Sequence, residues 1–147
     1  MEDTKIIDIL LAEDNPDDIE ITKRAFKEAK LVNHLYIVRD GQEAVDFLYH
    51  KGKYKDISDA PVPGLVLLDI NMPKLNGLEV LKKIKEDEKL NRIPIIMLTV
   101  SRRDEDIVES YRYGCNSFLQ KPVEFDNFVN LVKEIGFYWG VHNVPLP

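Results

Sequence analysis

The sequence holds a single cysteine, Cys115, so it carries no intramolecular disulfide framework, and a reducing compartment fits. It has no apolar run approaching the roughly 18 residues that a membrane-spanning helix requires. It has no cluster of lysine and arginine. With 20 basic against 26 acidic residues the net charge is -6, a poor match to nucleic-acid phosphates. The opening residues, Met1-Glu2-Asp3-Thr4-Lys5, are polar and acidic, and lack the basic-then-apolar order of a signal peptide. The three histidines, His34, His50 and His142, are scattered and form no phosphotransfer motif. There is no internal repeat and no low-complexity linker. These absences point to a cytoplasmic protein that neither enters a membrane nor binds nucleic acid directly.

What is present is a chain of ordinary globular composition, 147 residues long, enough for one domain with a real core. Short apolar runs alternate with helical periods. Ile6 to Ala12 reads as a buried strand, and Asp17 to Leu31 as an amphipathic helix. Leu35 to Val38 is a second strand. Gly41 to Tyr49 sets Ala44, Val45, Phe47 and Leu48 on one side of a second helix. Leu65-Val66-Leu67-Leu68 is apolar without alternation, as in a strand covered on both faces. Leu78, Val80, Leu81 and Ile84 mark a third helix, and Ile95-Ile96-Met97-Leu98 a fourth strand. A fourth helix is expected from about Glu105 to Tyr113, closed by Gly114. Ser117-Phe118-Leu119 is a fifth strand. Phe125, Phe128, Val129, Val132 and Ile135 stripe a fifth helix. Lys51 to Pro63 reads as a long irregular loop.

Five βα units in succession predict an α/β fold: a doubly wound parallel sheet of five strands in the order 2-1-3-4-5, with five helices on its two faces. Such sheets gather their sites at the carboxyl ends of the strands. Here those ends carry Glu13-Asp14, Asp69, Thr99 and Lys121-Pro122. Clustered carboxylates repel one another unless a cation is present. Their hard oxygens suit Mg²⁺, which keeps several waters and takes few protein ligands. A carboxylate can also attack phosphorus to form an acyl phosphate, and a lysine ammonium and a threonine hydroxyl can hold phosphoryl oxygens. Taken singly, each residue has a plainer reading. Glu13-Asp14 are loop or helix-cap residues, Asp69 a turn aspartate, Thr99 a cap and Lys121 a surface lysine. Complementary chemistry at four strand ends at once is what points to Mg²⁺-assisted phosphoryl transfer onto an aspartate.

Glu13-Asp14, the run Asp69-Ile70-Asn71-Met72-Pro73 with Gly77, Thr99, and Lys121-Pro122 resemble the receiver domains of two-component response regulators in type, order and spacing. Thr99 stands 30 residues after Asp69, and Lys121 stands 52 after it. The resemblance covers nearly the whole chain and implies a flavodoxin-like receiver fold, with residues 1–147 as a single response regulatory domain and 140–147 as its C-terminal tail. It implies that Asp69 accepts a phosphoryl group from a sensor histidine kinase. Asp14 then binds Mg²⁺ directly, Glu13 acts through the metal's water shell, and Asn71 offers its backbone carbonyl to the metal. Thr99 and Lys121 bind the phosphoryl group, Thr99 moving toward it, and Phe118 occupies the switch-aromatic position. A cis Lys121–Pro122 peptide is expected as well. Phe118 also reads as core packing, and the two roles are compatible.

Two positions depart from the commonest pattern. Glu13 stands where Asp is usual, and Val100 stands where a smaller residue is common. The bulk of Val100 suggests restricted water access and slow dephosphorylation.

The stretch Tyr49 to Pro63, the pair Ser110-Tyr111 and the end from Phe137-Tyr138-Trp139 to Val144-Pro145-Leu146-Pro147 resemble the stand-alone regulators that partner bacterial and cyanobacterial phytochrome kinases. Phe137, Tyr138 and Trp139 project about 100° apart on a helix and cannot share one core-facing side. The expectation is a homodimer through the fourth helix, the fifth strand, the fifth helix and the tail, with Tyr138 and Trp139 in the contact. The alternative is a tail folded over its own domain. Three other functions fit less well. An aspartate-nucleophile phosphatase of the haloacid dehalogenase type needs an acid two residues after the nucleophile, where this chain has Asn71. A degenerate adaptor would have lost part of the acidic set or Lys121. A nucleotide or flavin binder needs a phosphate-cradling loop after the first strand, and Glu13-Asp14-Asn15 has the wrong charge. The chain therefore reads as a regulator that is not an enzyme beyond its own Mg²⁺-dependent phosphorylation from phosphohistidine and slow autodephosphorylation.

Overall fold

A computed structural model describes residues 7–28, 33–56, 61–99, 113–115, 117–124, 126–128 and 130. The elements run β1 (Ile9–Ala12), α1 (Pro16–Glu28), β2 (Leu35–Val38), α2 (Gly41–Tyr49), β3 (Leu65–Asp69), α3 (Gly77–Glu86), β4 (Ile95–Thr99) and β5 (Ser117–Gln120). All neighbouring strands pair in parallel, in the order β2-β1-β3-β4-β5, as the alternation of strand and helix predicts. The helix expected near Glu105 to Tyr113 lies outside the described residues. Gly114 after it has φ +94, in the left-handed region that glycine adopts without strain. The helix expected after Phe125 begins within the described residues, at 126–128 and 130.

β1, β3 and β4 are buried at every residue, which is why their sequences are apolar throughout instead of alternating. The sheet separates two cores. Leu10, Ala12, Val66, Leu68, Ile95 and Met97 pack with α2 and α3 on one face. Ile9, Leu11, Leu65, Leu67, Ile96 and Leu98 pack with Ile19 and Phe26 of α1 and with Phe128 on the other. The Phe26 and Phe128 rings lie 5.0 Å apart, centroid to centroid.

Helix caps set the element ends. Asn15 Oδ1 accepts from the amides of Asp17 and Asp18 and starts α1. Asn76 and Glu79 form a reciprocal capping box at the start of α3. The stretch after α2 is more ordered than expected: it contains one 3₁₀ turn, Gly52–Tyr54. Its Tyr54 hydroxyl donates to Glu43 at 2.6 Å, and its ring stands edge-on to Phe47. Those contacts satisfy polar groups that a free loop would leave to water. Among the described residues no helix is long and apolar enough to cross a membrane.

Candidate functional site

Strand register brings the candidate residues level. Ala12 pairs with Leu68, so Glu13 emerges beside Asp69. Asp69 pairs with Leu98, one residue before Thr99. Thr99 pairs with Gln120, and the Lys121 amide donates to the Thr99 carbonyl at 2.8 Å. Two acids, one hydroxyl residue and one lysine thus meet at the carboxyl edge of the sheet because four neighbouring strands, β1, β3, β4 and β5, end together.

The site is closely built. Glu13 is 1% exposed, Asp69 3% and Thr99 4%. Asp14 is exposed at the rim. Carboxylate oxygens of Glu13, Asp14 and Asp69 lie within 4.8 Å of one another. The Asn15 amide donates to Glu13 Oε2 at 3.2 Å, and the Asn71 amide donates to Asp69 Oδ1 at 3.2 Å. Each of these two acids is therefore oriented by a backbone N–H two residues further along. Gly77 allows the turn after Asp69 to close, since a Cβ there would sit on the Asp69 carbonyl. The Gly77 amide donates to the Ile70 carbonyl at 2.7 Å.

The Lys121 ammonium reaches Glu13 Oε1 at 2.9 Å and Oε2 at 3.2 Å, Asp18 Oδ2 at 2.9 Å and Asp69 Oδ2 at 3.4 Å. The Lys121–Pro122 peptide is cis, as the resemblance implies. Burial, then the hydrogen bond and charge of Glu13, push the Asp69 carboxyl up to about 7, against the pull of Lys121 and the Asn71 amide. Burial alone would lower Lys121. Hydrogen bonds to Asp18 and Glu13 and the charge of Asp69 outweigh it, and the ammonium is held above its ordinary value.

All four strand ends converge as expected. Phe118 is half-buried, pairs with Met97 across β4 and β5, and packs against the core beside α2 and α3. Val100, Ser110, Tyr111, Tyr138, Trp139 and the tail lie outside the described residues. Asp18 was not singled out by sequence reasoning. Its signal was its spacing: it lies four residues after Asp14, in the first turn of α1, where its side chain can turn back over the strand ends.

Residues 9–133 match the family described as the response regulator receiver domain. The chain belongs to that family. The response regulator Rcp1 of Synechocystis is 37% identical over 139 residues, covering 95% of this chain and 92% of Rcp1. The Mn²⁺-bound form of Rcp1 superposes with a TM-score of 0.75 at 36% identity, over 96% of this chain and 99% of that one. The bacteriophytochrome response regulator AtBRR superposes with a TM-score of 0.82 at 43% identity, over 92% of this chain and 96% of that one. The phosphorylated cyanobacterial phytochrome response regulator RcpA gives 0.75 at 36% identity, over 91% and 94%. This receiver therefore works in two-component signalling, as its strand-end residues implied, and is similar to regulators of the phytochrome type. Receivers of response regulators are signal transducers, not turnover enzymes. They bind Mg²⁺ or Mn²⁺ at an acidic pocket, and the Glu13, Asp14 and Asp69 oxygens have that composition.

Proposed function

We propose that Asp69 is the phosphoacceptor of a stand-alone response regulator and that a phytochrome-like sensor histidine kinase is its donor. The carrying observation is that Asp69 is a buried carboxylate within 4.8 Å of two other acids and 3.4 Å from the Lys121 ammonium. In the transfer an Asp69 Oδ–P bond forms as the phosphohistidine N–P bond breaks, and the donor imidazole retains the electron pair and takes a proton.

The donor set fits a hard divalent cation. Burial first, and then the neighbouring Glu13, raise the Asp69 pKa, a cost that a cation among these carboxylates would relieve. Asp14 and Asp69 would hold Mg²⁺ directly, Glu13 through water, and Asn71 through its backbone carbonyl. Mg²⁺ supplies charge neutralisation on the phosphoryl oxygens. Thr99 and Lys121 bind the same oxygens, and Phe118, packed against the core that α2 and α3 share, carries the change to the surface.

The proposed output is protein contact. A homodimer would form through the region of β5, the helices before and after it, and the tail bearing Tyr138 and Trp139. The single cysteine and the acidic charge support a cytoplasmic setting without nucleic-acid contact. Beryllofluoride binding with Mg²⁺, measured on the wild type and on Asp69→Asn, tests the reading. The wild type responds only when Mg²⁺ is present, and Asp69→Asn does not respond. A wild type indifferent to both ligands would refute it. Sedimentation with and without beryllofluoride tests the dimer, and a monomer in both conditions removes it.

A further inference from the structure

Lys121 faces two demands. Its ammonium bonds to Glu13 and Asp69, both members of the acidic cluster that suits a divalent cation. A cation entering that cluster competes with the lysine for the same two acids. Yet Lys121 must stay at the strand ends to meet a phosphoryl group on Asp69. Its third partner, Asp18, is among the described residues the one carboxylate in contact with it that stands outside the cluster of three. That contact, at 2.9 Å, is as short as the shortest to Glu13 and shorter than that to Asp69.

Asp18 is also well fixed. Its amide donates to Asn15 Oδ1 at 3.1 Å, and its carbonyl accepts from the Thr22 hydroxyl at 2.9 Å. Its side chain is 22% exposed and that of Lys121 7%, so the pair is only partly screened by water.

We propose that Asp18 is a positioning residue that retains Lys121 at the site when a divalent cation takes over Glu13 and Asp69. This rests on the Mg²⁺ reading above. In the cation-free chain the ammonium divides its three donors among Glu13, Asp18 and Asp69. In the loaded chain the Asp18 bond persists and keeps the lysine beside Asp69. Asp18 thereby acts on the cation through Lys121 as well as through its own charge.

The test is calorimetric titration of MgCl₂ into the full chain for the wild type, Asp18→Asn, Lys121→Met and the double variant. Asp18→Asn is expected to weaken Mg²⁺ binding about fivefold when Lys121 is present and less than about twofold when it is not. An equal loss in both backgrounds overturns the proposal and makes Asp18 a general negative charge. No loss in the wild-type background overturns it too. A wild type that binds no Mg²⁺ refutes the site reading itself, a separate result. If Lys121→Met does not fold, the Lys121 ammonium proton resonance decides the matter at saturating Mg²⁺. It is expected to persist in the wild type and to broaden away in Asp18→Asn. Its loss from the wild type on adding Mg²⁺ overturns the proposal.

Discussion

Lys121 and Glu13 form an ion pair at 2.9 Å in which the side chains are 7% and 1% exposed. Neither charge can fall back on water. Breaking such a pair from one side strands the other charge, at a cost of about 3 kcal/mol or more. In Lys121→Met the stranded charges are those of Glu13, Asp18 and Asp69 together. The cation-free variant is expected to lose about 3 kcal/mol of stability. The same change removes the ammonium that competes for the metal oxygens, so Mg²⁺ should bind about tenfold more tightly. Urea unfolding with and without MgCl₂ measures both effects. A variant as stable as the wild type without Mg²⁺ would show that the pair contributes little.

Asp69 makes stability depend on pH in an unusual direction for a carboxylate. Its pKa in the folded chain is raised from the ordinary value of 3.8 to about 7. Between those values the folded state binds more protons at this group than the unfolded state does. Its contribution is therefore fully present below about 4 and is lost as pH rises through about 7. Asp69→Asn lacks this loss. Without Mg²⁺, the variant is expected to gain stability over the wild type as pH rises from 5 to 8. Urea midpoints for the two proteins that stay parallel over that range would contradict the account.

Gly77 holds the turn that aims Asp69. A methyl group there would occupy the space of the Asp69 carbonyl, and backbone cannot yield as a flexible side chain can. Gly77→Ala is expected to cost about 2 kcal/mol, in the range of core overpacking. It should also weaken beryllofluoride binding, because the strand end that presents Asp69 must shift. A variant with lowered stability and unchanged beryllofluoride affinity would confine the role of Gly77 to folding.

Most of this was legible in the sequence because it rests on strand ends. Buried parallel strands announce themselves as unbroken apolar runs, and the residue after each run lies at the site edge. Glu13, Asp69 and Thr99 stand at the ends of such runs, whereas Lys121 follows the partly buried edge strand β5. Asp18 was not legible, because its part depends on a helix turning back over those ends, and an acid in a first helical turn reads equally well as a favourable charge at the helix dipole. The stretch after Tyr49 was read as irregular for a similar reason. Its order comes from Tyr54 reaching Glu43 and Phe47, contacts made across sequence and invisible to local periodicity.

The raised Asp69 carboxyl also predicts how the metal and the proton compete. Near pH 6.5 part of the Asp69 population carries a proton, since its pKa lies at about 7. A cation that binds the carboxylate must displace that proton, so Mg²⁺ binding should release protons at this pH. Apparent affinity should then fall as pH drops below about 7 and level off above about 8, where Asp69 is already ionised. Calorimetry at pH 6.5 in two buffers of different ionisation enthalpy measures the protons released. The heats should differ at pH 6.5 and agree at pH 9. In Asp69→Asn this dependence should vanish, because the displaced proton belongs to Asp69. Equal heats in both buffers at pH 6.5 would mean that Asp69 is already ionised without the metal, held so by Lys121 against the repulsion of Glu13.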